Sequence, residues 1–102
     1  MMFEWNETKN RANLQKHGVS FEEAMLIFSG PVLTARDDRF DYGEERWISI
    51  GAIADLVVIV AVHTDRNGVT RLISARFANR KERQRYHEHL AATSEGAGNT
   101  KQ

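Results

Sequence analysis

The sequence predicts an α+β fold with two N-terminal helices, an antiparallel meander of about four to five strands, and one C-terminal helix. Three observations carry that reading. Helical spacing with capping signals fills the region from Asn6 to Gly30. From Val32 to Phe77 the pattern turns to short β-rich runs parted by Asp, Gly and Asn, and helical spacing resumes after Asn79. A chain of 102 residues, 41% of them hydrophobic, builds one modest core and has no room for a second domain. Residues 1–93 are therefore read as a single domain, and the Gly- and Ser-containing segment 94–102 as a disordered tail.

Taking the elements in order, Asn6 can cap a helix from about Glu7 to Lys16, with Gly18 placed to end it in a left-handed turn. Ser20 and Glu23 have the spacing of a capping box, in which each side chain bonds the other's backbone N–H. Phe21, Ala24, Met25 and Phe28 then recur at helical spacing until Gly30-Pro31, so a second short helix is expected over 21–29. Strands are expected at Val32–Arg36, Arg46–Ala54, Leu56–Thr64 and Val69–Phe77. Their short connections favour antiparallel neighbours, since a parallel pair needs a long crossover.

The run Val57 to Val62 is apolar at both alternating sets of positions, which marks a central strand covered on both faces. In the last strand, two-residue alternation sets Arg71 and Arg76 on opposite faces. Asn79 and Glu82 form another capping-box pair, opening a helix from Arg80 to about Ala92. Arg83, Tyr86 and His87 share one face of that helix by their three- and four-residue spacings.

Composition excludes several chemistries. Without cysteine there is no disulfide framework, no thiolate metal site and no cysteine nucleophile, which suits a reducing cytoplasm. The N-terminal residues carry carboxylates and no signal-peptide apolar run, and the longest apolar stretch is too short to span a membrane. A cytoplasmic protein is expected. Scattered His63, His87 and His89 lack a recognised ligand spacing, so neither a metal nor another cofactor is assigned. The formal net charge of zero conceals an asymmetry: residues 1–45 hold nine acidic and five basic side chains, whereas 46–102 hold five acidic and nine basic. The second half can meet phosphates.

Three stretches carry a family resemblance: FEWNETKNRANLQKHGVSFEEA at 3–24, GEERWISIG at 43–51 and TDRNGVTRLISARFANRKERQRY at 64–86. Together they resemble the BrnT toxins of bacterial type II toxin–antitoxin pairs. The resemblance implies a RelE-like fold, ribonuclease activity that blocks translation and growth, and neutralisation by a BrnA-type antitoxin in a hetero-oligomer. In such pairs the complex represses its own promoter, and DNA contact belongs mainly to the antitoxin.

RNA cleavage without a metal needs proton carriers for the 2′-hydroxyl and the leaving oxygen, and cations for the phosphorane. The carriers available are His17, Glu44, Glu45, His63, Glu82, Tyr86 and His87. His17 stands at the end of the first helix, where the helix dipole favours a protonated imidazole. It serves either as a general acid or as a helix cap, and the KHG motif of the resemblance leaves both readings open. Arg71 and Arg76 can grip phosphate oxygens bidentately or extend into solvent at the strand ends. Glu82 can simply complete its capping box. A C-terminal tyrosine near arginines resembles RelE-like sites, which selects Arg83 and Tyr86. The catalytic candidates are thus His17, Glu45, Arg71, Arg76, Arg83 and Tyr86. Lys16, Arg46, Arg66, Arg80 and Lys81 are candidate RNA contacts. By strand alternation Glu45 and Arg46 face opposite ways unless a bulge intervenes. The competing reading is a non-catalytic module with the toxin fold, binding an acidic protein partner through the same basic face.

Overall fold

The first helix owes its limits to the residues that flank it. In the computed structural model, which describes the backbone of residues 1–99 and side-chain packing through residue 93, α1 spans Glu7–His17. The Asn6 side chain accepts a hydrogen bond from the Lys9 N–H at 3.0 Å, and Gly18, at φ 76°, closes the helix on the Leu14 carbonyl. Helix α2 spans Phe21–Ala24 behind the expected Ser20–Glu23 capping box, but it lasts a single turn. Met25–Ser29 tightens into a 3₁₀ helix, in place of the continuous helix expected over 21–29. This tight turn sits close on the sheet: Ile27 packs against Gly51, where an added Cβ would lie 2.8 Å from the Ile27 Cβ.

The sheet contains β1 (Met2–Glu4), β2 (Val32–Arg36), β3 (Trp47–Ile53), β4 (Val57–Arg66) and β5 (Val69–Phe77), in the spatial order β1-β5-β4-β3-β2. Strands β2 to β5 form the expected antiparallel meander, with β4 at the centre. Strand β1 was not expected. It pairs parallel to β5, making the sheet mixed, and three residues without clear alternation carry no strand signal of their own. Left-handed Ala54-Asp55 and Asn67-Gly68 close the two tight hairpins. The β2–β3 connection, by contrast, is a long loop over 37–46, tied down by the buried Asp37 carboxylate. Its oxygens accept from Arg39 at 2.7 and 2.9 Å and from the Tyr42 hydroxyl at 3.1 Å.

A bulge in β5 alters which side chains share a face. Val62 pairs with Ser74 but His63 pairs with Leu72, leaving Ile73 as the extra residue. Arg71 then lies opposite Thr64, and Arg76 opposite Val60. Thr64 and Val60 are an even number of residues apart, so Arg71 and Arg76 stand on the same face. Simple alternation had put them on opposite faces.

One face of the sheet carries Ile59, Ala61, Leu72 and Ala75, sealed by Val19, Phe21, Ala24 and Ile27. The other carries Ile50, Val58 and Val60, and is covered by Ala78 and by Tyr86 of α3 (Arg80–Asn99). Helix α3 continues past the end expected near Ala92, because the glycines beyond it weaken a helix without forbidding it. Residues 100–102 of the expected tail lie outside the described residues. No helix among the described residues is long and apolar enough to cross a membrane.

Candidate active site

Strand β1 pairs only with residues 69–71 of β5, and beyond them the edge of β5 is taken over by α1. Asn13 makes that junction. Its side-chain amide donates to the Ala75 carbonyl at 2.8 Å and accepts from the Ala75 N–H at 3.1 Å, copying the pair of bonds a neighbouring strand would make. The same amide nitrogen reaches the Val19 carbonyl at 2.8 Å. Asn10 is also buried and accepts from the Phe21 N–H at 2.8 Å. These two asparagines fix the end of α1 beside the sheet, and with it His17.

His17 consequently lines a cavity of about 560 Å³ with Arg39, Ser74, Arg76, Glu82 and Arg85. Residues from α1, the 37–46 loop, β5 and α3 meet there. Arg76 and Glu82 form two hydrogen bonds of 2.8 Å each, and Glu82 also accepts from the Asn79 N–H at 2.9 Å in the expected capping box. The Arg76 guanidinium holds the Glu82 carboxyl below the usual carboxylate range, and Glu82 in turn raises Arg76. Arg39, anchored on Asp37, is close enough to Arg76 to oppose its charge slightly. Three guanidinium groups and one carboxylate thus line the cavity.

Of the candidates read from the sequence, the cavity brings together His17 and Arg76. Arg71 shares the face of Arg76 but is held by Glu4 at 2.6 Å, away from the cavity lining. Tyr86 is a core residue, 2% exposed, whose hydroxyl donates to the Pro31 carbonyl at 2.8 Å. Arg83 does not share its buried face: it is exposed and donates to the Ala78 carbonyl at 2.8 Å. The inward face of α3 is instead set by Glu82, Arg85 and Tyr86.

Glu45 and Arg46 precede β3, so strand alternation does not govern them. Exposed Glu45 lies 3.7 Å from Arg36, while Arg46 stacks over the Tyr42 ring at 4.0 Å and joins Arg66 around Glu44. This ion cluster is separate from the cavity. Arg80 and Lys81 are exposed, as is Lys16 next to His17, and none of the three forms an ion pair among the described residues. His63 is nine-tenths buried, with its Nε2 2.8 Å from the Ser49 hydroxyl. Burial pushes its pKa down.

Arg39 and Arg85 are the cavity cations that site selection from the sequence omitted. Arg39 sits outside the three motif stretches, and only its turn chemistry, Asp-Asp-Arg, hinted at an anchored arginine. Arg85 was hidden in the dense basic run Arg80, Lys81, Arg83 and Arg85 at the start of α3, where spacing singles out none of them.

The sheet is thus mixed, packed against α1 and α2 on one face, with α3 and the cationic cavity sharing the other. Residues 5–82 match the family described as the ribonuclease toxin BrnT of type II toxin–antitoxin systems. The chain belongs to that family. It is also similar to the crystal structure of the Brucella abortus ribonuclease toxin BrnT, with 25% identity and a TM-score of 0.58. That likeness covers 78% of this chain and 100% of the Brucella chain. No curated protein matches. A type II pairing means that the toxin has an antitoxin as its partner.

Proposed function

We propose that the chain is an endoribonuclease that works without a metal ion, at the cavity lined by His17, Arg39, Arg76 and Arg85. The 2′-oxygen of RNA attacks the adjacent phosphorus and the 5′-oxygen departs, leaving a 2′,3′-cyclic phosphate and a 5′-hydroxyl end. The arginines supply the positive charge that the phosphorane requires. His17 exchanges protons with the reacting oxygens. Glu82 is unsuited to that role, because its carboxylate is already held by Arg76 and the Asn79 N–H. The partner in this reading is a BrnA-type antitoxin that neutralises the toxin in a hetero-oligomer, with DNA bound only through that complex. Cleavage in the cytoplasm blocks translation and growth.

The single observation that carries this reading is the meeting of His17 of α1 and Arg76 of β5 in one cavity. The test is cleavage of synthetic RNA in EDTA by antitoxin-free protein, with end-group analysis. His17→Ala and Arg76→Ala are expected to lower the rate about 100-fold or more while the fold persists. Full activity in both variants, or a strict need for added metal, would remove the proposal.

A further inference from the structure

The cavity that holds the cationic groups has an aliphatic floor. It lies beside α3, on the sheet face that this helix covers only in part, and is made by Leu33 and Ala35 of β2, Ile48 of β3 and Val62 of β4 over the buried Ile50 and Val60. A phosphodiester has no use for such a surface, because its charged oxygens lose hydration against carbon and gain no bond in return. The volume is also too generous for phosphate alone. About 560 Å³ falls within the range of sites for whole small molecules, roughly 300–1,000 Å³. Exposed Ala35 and half-buried Val62 leave the floor open to an occupant.

We propose that the floor is a binding subsite for one unpaired nucleobase, which lies flat over Ala35, Ile48 and Val62 while its phosphate rests on Arg76 and Arg85. This rests on the RNA reading above and adds the substrate class: single-stranded RNA or an unpaired loop. A base inside a duplex is stacked on both sides and reaches such a floor only after unpairing. Charge complementarity selects this occupant over an apolar protein side chain. Three guanidinium groups line the cavity against one carboxylate, and an apolar side chain would strip them of water without replacing it. A nucleotide satisfies both halves at once. The Ser74 hydroxyl, which makes no hydrogen bond among the described residues, lines the same cavity and can meet the polar edge of the base.

The test is a titration of methyl-labelled full-length protein with inorganic phosphate, ribose 5-phosphate and a nucleoside 3′-monophosphate, followed by NMR. The nucleotide is expected to bind about tenfold tighter than either other probe. It should move the methyl resonances of Ala35, Ile48 and Val62, which phosphate leaves in place. Val62→Trp fills the floor and should erase the nucleotide's advantage while keeping phosphate affinity. Ala35→Trp does the same from an exposed edge-strand position, so the test survives if the Val62 variant misfolds. Equal affinity for nucleotide and ribose phosphate overturns the subsite, as do unmoved methyls, or a floor that responds only to an antitoxin segment. If inorganic phosphate and nucleotide both fail to bind the unaltered protein, it is the RNA reading itself that falls.

Discussion

Glu82 grips Arg76 end-on, through Nη1 and Nη2, and so leaves the side-on edge of the guanidinium free. The second Nη1 hydrogen is directed at the Phe77 carbonyl, 3.3 Å away. Arginine has five N–H donors in a fixed fork, and the two left over are the Nε hydrogen and its neighbour on Nη2. That adjacent pair matches two phosphate oxygens. Arg76 can therefore bind phosphate without releasing the carboxylate that orients it.

Arg76→Lys is expected to lose about as much cleavage activity as Arg76→Ala, since an ammonium cannot hold carboxylate and phosphate in one plane. Glu82→Gln keeps the capping box, which accepts either residue, and removes the ionic grip on Arg76. RNA cleavage by Glu82→Gln should fall about tenfold, a loss of roughly 1.4 kcal/mol in transition-state stabilisation. Thermal stability should change little. Cleavage rates and melting curves of the three variants check this.

Tyr86→Phe separates a core tyrosine from a catalytic one. The ring stays packed against Ile50, Val58 and Val60, and only the hydroxyl bond to Pro31 is lost. A stability loss of about 1 kcal/mol with unchanged RNA cleavage is expected. A large fall in activity at constant stability would return Tyr86 to the chemistry.

Asn13→Ala removes the amide that joins α1 to the edge of β5. The Ala75 N–H and the Ala75 and Val19 carbonyls lose their side-chain partner. Denaturant titration should register a loss of about 3 kcal/mol, in keeping with several buried hydrogen bonds left unmade. His17 follows α1, so activity should drop under conditions where the variant is still folded.

Asp37 predicts an acid-sensitive loop. Its hydrogen bonds with Arg39 lower its pKa from 3.8 to about 2, so the folded state binds the proton more weakly than the unfolded chain does. Its contribution to stability is complete above pH 3.8 and is lost as the pH falls toward 2. Carboxyl NMR of Asp37 should give that low midpoint, and Arg39→Ala should move it up. The same variant frees the 37–46 loop and removes one of the cavity cations.

The sequence showed clearly those parts of the fold in which local chemistry and tertiary structure agree. The Asn6 and Ser20 caps, the Gly18 stop, the strands Val32–Arg36 and Val69–Phe77 and the central position of the Val57–Val62 run all stand where their residues suggested. Strand β1 was invisible because its pairing is set by a partner 67 positions away, as the Phe3–Thr70 and Glu4–Arg71 pairs show. Of the residues that meet in the cavity, His17 and Arg76 stood out by chemical type. Tyr86, chosen on the same ground, is buried, because a core aromatic with one hydrogen bond looks the same in a sequence as an exposed reactive one. Arg39 depends on a loop conformation set by Asp37, and no periodicity describes it.

The bulge at Ile73 absorbs one residue of β5 without turning the strand. Leu72 and Ser74 meet the adjacent residues His63 and Val62, so a chain lacking position 73 could keep every pairing on either side of it, with Arg76 still opposite Val60 and Ala75 still opposite Ala61. What the layout of charge cannot tolerate is a regular ladder with the residue retained. Arg76 would then face the opposite surface, away from the cavity, and Ala75 would be carried away from the Asn13 clasp.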